Sequence, residues 1–262
     1  MNIVVNSQNI FVATGGCVFD PKKPTVVFIH GSGLDHRCWA LQARWFAFHG
    51  FSVFAPDLPG HSLSEGEPIK SIEDMGKWLV QTLKIAGCEN IHLVGHSQGF
   101  LVVLEAAKSL GAKLKTLTAI ASATSIQVNE SLIETAKKSS KDAADIMLKW
   151  GFGSIAQNGA SAVPGIQPIA IGRQIMSNNP LLIDLIACSK YTNGANAAKD
   201  VDKPSNVILA TEDKMTPHKL GVELAEILNA EVTSISGMGH MVPMEAPKAA
   251  LDAVKSFILK NT

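Results

Sequence analysis

Five short runs of β-forming, mostly apolar residues govern what this chain can fold into. They are Thr25-Val26-Val27-Phe28-Ile29, Phe51-Ser52-Val53-Phe54-Ala55, Ile91-His92-Leu93-Val94, Leu117-Thr118-Ala119-Ile120 and Val207-Ile208-Leu209-Ala210. Continuous runs of this kind read as strands covered on both faces, not as half-exposed strands with strict alternation. Segments with helical apolar spacing follow the first three: Trp39–Phe48, Ile72–Ile85 and Leu101–Leu110. Strand–helix alternation requires right-handed crossovers, and these build a mostly parallel sheet with helices on both faces. The fold class is α/β.

The two ends complete the pattern. Ile3–Val5 and Ile10–Ala13, separated by Asn and Ser, predict an N-terminal antiparallel hairpin. A last strand over Val232–Ile235 and a helix over Pro247–Leu259 close the chain. The alternation fails only between 124 and 200. That stretch holds helix-like pieces (Ser131–Lys138, Asp142–Trp150) and a Gly-rich passage from Gly151 to Gly165. It is too long for an ordinary loop. It reads as a helical cap inserted over the carboxyl edge of the sheet. The expected division is a core domain of 1–123 with 201–262, and a cap of 124–200.

Composition excludes several function classes. Lys and Arg number 23, as do Asp and Glu, so no basic excess points to nucleic acid or an anionic membrane surface. The pairs Lys22–Lys23 and Lys137–Lys138 read as solvated faces. Cys17, Cys38, Cys88 and Cys188 form no C-x-x-C pair, which argues against a zinc site and fits reduced thiols. The segment Met1–Asn6 carries no basic region followed by a long apolar stretch, and no apolar run reaches the ~18 residues of a membrane span. The expectation is a cytoplasmic protein with neither a nucleic-acid nor a membrane partner; monomer and homodimer fit the sequence equally.

The chemistry gathers where strands end. Gly95-His96-Ser97-Gln98-Gly99 follows one apolar run and opens a helix. Flanking glycines let the chain turn sharply at Ser97 and lift its hydroxyl above the sheet edge. A serine hydroxyl is a poor nucleophile at neutral pH and needs a positioned base. His240, in Gly237-Met238-Gly239-His240, sits between the last strand and the last helix and is the candidate. Of the other histidines, His36, His49, His92 and His218 have no companion motif, His30 and His96 flank the reactive position and read as loop braces, and His61 belongs to a turn. The base in turn needs a carboxylate to fix its tautomer. Glu212 and Asp213 follow Val207–Ala210 directly; Asp213 is preferred, with Glu212 in reserve. Backbone N–H groups of Gln98 and of Ser32, in His30-Gly31-Ser32-Gly33, are the candidate donors to an oxyanion. That Gly-rich turn lacks both the G-x-G-x-x-G spacing and the lysine of a phosphate loop.

Taken together these residues resemble the α/β-hydrolase superfamily, over nearly the whole chain outside the cap. Asp57-Leu58-Pro59-Gly60-His61-Ser62-Leu63-Ser64 resembles a structural turn of that family, and the order Ser97, Asp213, His240 is the family's order. The resemblance implies an eight-stranded sheet with one antiparallel strand, a cap after the sixth strand, and no cofactor or metal. Two positions depart from it: Phe100 stands where a small residue is usual, and Ala210 replaces a common Gly. Ser97 at the elbow sets the chain apart from dehalogenases and epoxide hydrolases of this fold, which place Asp there.

The expected activity is hydrolysis of a small or medium, largely apolar carboxylic ester through an acyl-enzyme on Ser97. Trp150, Phe152 and Met176 of the cap are candidates for the substrate wall. The alternatives are a carbon–carbon bond hydrolase, a cofactor-free perhydrolase, and a ligand sensor with slow or no turnover.

Overall fold

The computed structural model describes residues 1–262. Every expected run is a strand. In chain order they are β1 (Asn2–Val5), β2 (Gln8–Ala13), β3 (Thr25–Ile29), β4 (Ser52–Pro56), β5 (Ile91–His96), β6 (Leu114–Ile120), β7 (Ser205–Ala210) and β8 (Glu231–Ile235). They form one sheet in the order β1-β2-β4-β3-β5-β6-β7-β8. β2 pairs antiparallel with both of its neighbours, and every pairing from β4 across to β8 is parallel. One strand therefore runs against the rest, as the resemblance implies.

The helices of the α/β framework are α1 (Ala40–Ala47), α2 (Ile72–Ile85) and α3 (Gln98–Leu110) before the interruption. Within it lie α4 (Glu130–Lys138), α5 (Ser140–Gly151), α6 (Ser154–Gln157), α7 (Pro168–Met176), α8 (Leu181–Lys190) and α9 (Gly194–Lys199). After it come α10 (His218–Leu228), α11 (Val242–Glu245) and α12 (Pro247–Lys260). Sequence reasoning starts the first helix at Trp39, but His36–Trp39 is a tighter 3₁₀ turn capped by the Asp35 carboxylate, which accepts from Arg37 N at 3.0 Å. The elbow strand also runs two residues beyond Val94, to His96, because Gly95 and His96 pair with Ala119 and Ile120 of β6.

Two apolar cores cover the two faces of the sheet. Alternate side chains of β3 divide between them: Val27 and Ile29 pack under α2, α3 and α10, and Val26 and Phe28 under α1 and α12. All five residues of β3 and all six of β5 are buried, the pattern of a two-sided sheet. The inserted helices straddle the sheet edge. Met147, Leu148, Phe152, Leu181 and Leu185 join the core of α1 and α12, whereas Cys188, Tyr191 and Ala198 join the other. The four cysteines are unpaired, and no helix is long and apolar enough to cross a membrane.

Candidate active site

The strand-to-helix turn at Ser97 is as sharp as its sequence suggests. Ser97 has φ 54° and ψ −123°, a conformation that L-residues avoid, and it is held by Ser97 N donating to Ile120 O at 2.9 Å. The glycines on either side are required. A Cβ on Gly95 would lie 2.4 Å from Phe100 Cα, and one on Gly99 would lie 2.2 Å from Ile29 O. Phe100 itself is fully buried in the core of α2 and α3, so the larger residue after the elbow is absorbed by helix–sheet packing and does not enter the cavity.

His240 reaches the same edge from the loop between β8 and α11. Its Nδ1 is 2.9 Å from Asp213 Oδ2, and both side chains are buried. Burial alone would raise the Asp213 carboxyl; the His240 ring, together with the N–H and hydroxyl of Thr216, outweighs it and holds the group below the usual carboxylate range. An ionised Asp213 takes the Nδ1 proton as a hydrogen bond and leaves Nε2 as the free acceptor. Glu212 turns the other way and accepts from Ser154 N (2.7 Å) and Ser154 Oγ (3.0 Å). Of the two adjacent acids, only Asp213 faces the histidine.

Ser97 and His240 are linked through His96. The rings of His96 and His240 are 5.0 Å apart, and His96 Nε2 donates to the His240 carbonyl at 2.9 Å. Burial pushes the His96 ring down to about 3, so it is neutral and serves as a fixed brace. No hydrogen bond joins the Ser97 hydroxyl to His240 in this structure. In unliganded enzymes such bonds are commonly long and tighten with substrate.

Thr216 is a member of the site that sequence reasoning missed. Asp213 Oδ1 accepts from Met215 N and Thr216 N, each at 2.8 Å, and Thr216 Oγ1 bonds Asp213 Oδ2 at 2.7 Å. The legible signal was Asp213-Lys214-Met215-Thr216-Pro217, an acid followed by a turn that folds its N–H groups back onto the carboxylate.

Ser32 and Ser97 line one cavity of about 210 Å³, together with Ile126, Leu132, Met147 and Leu185. Ser32 N makes no bond within the protein, while the next N–H, that of Gly33, is taken by Asp184 Oδ2 at 2.7 Å. Gln98 N is the first N–H of α3 and has no intrahelical acceptor. Both candidate oxyanion donors are thus available at the serine. Trp150 lines the cavity, but Phe152 and Met176 do not: both are fully buried, and Met176 packs behind Gly33. Their apolar character serves the core, since helix spacing alone cannot separate a cavity wall from an interior contact. Gln127, Val128, Asn129 and Cys188, from positions that carry no motif, complete the lining with Lys214 and Met215 of the acid-led turn.

The remaining polar cluster is Asp35, His36 and Asp57, whose ligand-type atoms lie within 4.8 Å of one another. Their bonding capacity is already engaged. Asp35 binds Arg37 side-on, and Asp57 Oδ1 accepts from His36 N and faces His36 Nδ1, while Oδ2 accepts from Leu63 N. This ties the Asp57–Ser64 turn to the loop after β3 and does not resemble an open metal site.

The sheet order, the elbow and the acid–histidine pair now stand beside a match over residues 26–254 to the family described as alpha/beta hydrolase. The chain belongs to the alpha/beta hydrolase family. Among relatives of this hydrolase, (E)-2-((N-methylformamido)methylene)succinate hydrolase of Acinetobacter baylyi is 23% identical over 252 residues, covering 89% of each chain. Pimeloyl-[acyl-carrier protein] methyl ester esterase of Methylococcus capsulatus is 24% identical over 238 residues, covering 84% of this chain and 86% of its own. The enol-lactonase from Burkholderia xenovorans LB400 superposes with a TM-score of 0.86 at 18% identity, over 99% of this chain and all of its own. At that identity the superposition speaks for the fold alone.

Proposed function

We propose that this hydrolase cleaves a small or medium carboxylic ester, largely apolar in its acyl part, through an acyl-enzyme on Ser97. The observation that carries the proposal is the 2.9 Å bond between His240 Nδ1 and Asp213 Oδ2 beside a serine held at positive φ on the wall of a cavity. His240 Nε2 takes the Ser97 proton as Oγ attacks the ester carbonyl. The N–H groups of Ser32 and Gln98 bind the oxyanion. The same imidazole then protonates the leaving alcohol and later activates water to free the acid. The cavity is smaller than the ~300–1,000 Å³ of drug-sized sites, which supports a short acyl group, and Ile126, Leu132, Met147 and Leu185 give it an apolar wall alongside the polar Gln127, Asn129 and Lys214.

Relatives that act on a methyl ester and on a succinate derivative support ester or related acyl chemistry without fixing the substrate. A panel of esters, thioesters, lactones and diketones, run with wild type and Ser97→Ala, tests the reading. The expected result is Ser97-dependent turnover that is greatest on short-chain esters. Turnover confined to diketones would replace it with carbon–carbon bond hydrolysis. Labelling by a fluorophosphonate without turnover on any substrate would replace it with a sensor.

A further inference from the structure

Asp184 is the only acidic side chain of the inserted helices that is wholly buried. It lies on α8 on the same side as Leu181, Leu185 and Cys188, where an apolar residue would be expected. Its Oδ2 accepts from Gly33 N at 2.7 Å and from His61 Nε2 at 2.9 Å. Its Oδ1 has no partner, so Gly33 and His61 are the only groups that bond the carboxyl.

The protons on His61 follow from its neighbours. Nδ1 lies 3.1 Å from the Pro59 carbonyl, which can only accept, and Nε2 faces the Asp184 carboxylate, which when ionised can only accept. Nε2 therefore points its proton at Asp184 Oδ2, within a pair that is buried on both sides. Burial alone would lower its pKa, but the carboxylate beside it raises it. His30, whose ring is 5.0 Å away, is placed in the opposite way: Nε2 accepts from Leu58 N at 3.2 Å, which fixes that nitrogen as unprotonated. Of the two rings, His61 is the one that faces the carboxylate.

This pair meets the site at both candidate oxyanion donors. Asp184 fixes the peptide following Ser32, and its main-chain oxygen accepts from Gln98 Nε2 at 3.4 Å. Asn179, just before α8, grips the same loop by donating to Gly33 O and Leu34 O at 3.0 Å each. We propose that Asp184 and His61 are positioning residues for the oxyanion loop: their buried hydrogen-bonded pair holds Gly33 so that the preceding Ser32 N–H stays free and aimed at the reacting carbonyl. The proposal rests on the Ser97 hydrolase reading given above.

The test uses the full chain with a short-chain p-nitrophenyl ester, an alkylboronic acid as tetrahedral mimic, and thermal unfolding. Asp184→Ala and His61→Leu should each lower kcat by about 10- to 100-fold, with KM changed less than about threefold. Boronate affinity should fall by a similar factor, because only the tetrahedral species uses the oxyanion donors. His61→Gln, which can still donate to Asp184, should recover most of the loss. A purely structural role would lower Tm without that split between kcat and KM. Folded Asp184→Ala or His61→Leu protein with wild-type kcat and boronate affinity overturns the proposal. Should both variants fail to fold, Asp184→Ser, whose hydroxyl is too short to reach both Gly33 N and His61, and His61→Gln carry the same comparison: unchanged boronate affinity in Asp184→Ser overturns the proposal, and a loss confined to it supports it. Ser97→Ala, run alongside, separates the two readings: activity that survives in it removes the hydrolase reading itself, whereas Ser97-dependent activity indifferent to Asp184 removes only this inference.

Discussion

β5 and α8 both deliver residues to the same cavity, but they are held there by different forces. Every residue of β5 is buried, and the strand is hydrogen-bonded between β3 and β6 along its length, so Ser97 inherits a position set by many neighbours at once. α8 also buries an apolar side, but its placement over the cavity depends on a few polar groups, Asn179 and Asp184 foremost. The middle of the insertion is secured in the same manner. Glu245 accepts from Gly153 N (2.8 Å) and Gly239 N (2.9 Å), and Glu212 accepts from Ser154, which pins the end of α5 to the loop carrying His240. A strand in a covered sheet is located by collective burial. An inserted helix layer is located by individual bonds, each of which a single substitution can remove.

The contrast can be broken most severely at the sheet edge. Ser97→Ala is expected to lower kcat by about 10⁶ and Asp213→Asn by about 10⁴, with little change in Tm. Steady-state kinetics checks both, and near-wild-type turnover in either would remove that residue from the proposed chemistry. Deeper in β5, Leu93→Ala should cost about 2–5 kcal/mol, because a fully buried side chain leaves a cavity among closely packed neighbours. Urea denaturation should show an earlier midpoint with the slope retained, as befits one cooperative transition.

Glu245→Gln should cost about 1–3 kcal/mol, since the amide retains only one acceptor oxygen for two buried N–H groups. Here the expected signature is local: limited proteolysis should accelerate around the mostly exposed residues 157–166 more than within the sheet. Cleavage that accelerates evenly along the chain would erase the distinction between the two regions.

The effect that appears only on acidification concerns the opening of β5. His92 is buried against Thr116 Oγ1 (2.9 Å), and burial lowers its pKa to about 4, with Lys115 adding in the same direction. The unfolded chain titrates near 6.5 and binds a proton that the folded chain refuses. The contribution of neutral His92 is therefore whole above about pH 6.5 and is lost as pH falls toward 4, at up to ~1.4 kcal/mol per pH unit. His92→Gln should flatten this slope by up to one proton in urea titrations between pH 7 and 4.5, while turnover at pH 7 is unchanged. An unaltered slope would mean that the folded ring takes up its proton as freely as the unfolded one.

The placement of Ser97, Asp213 and His240 at one sheet edge was legible because each sits where an apolar run stops, and a run that stops at a sheet edge delivers its next residue to that edge. Thr216 was half-legible, as part of an acid-led turn. Asp184 was not: in Leu181-Leu182-Ile183-Asp184-Leu185 it reads as the polar side of a helix. His61 likewise passed for an ordinary turn residue. Phe152 and Met176 were legible as apolar residues of the insertion but not as to what they face.

The sequence alone determined the two-sided sheet, its order of strands and helices, and the three loops that bring serine, acid and histidine to one edge. These follow from periodicity and from turn chemistry, which act between residues close in the chain. The tertiary structure decided which of two adjacent acids meets His240, which apolar residues line the cavity, and that Asp184 meets His61 across 123 positions. Burial of a charge is tolerated only where its partner arrives from elsewhere in the fold, and no local pattern encodes that arrival.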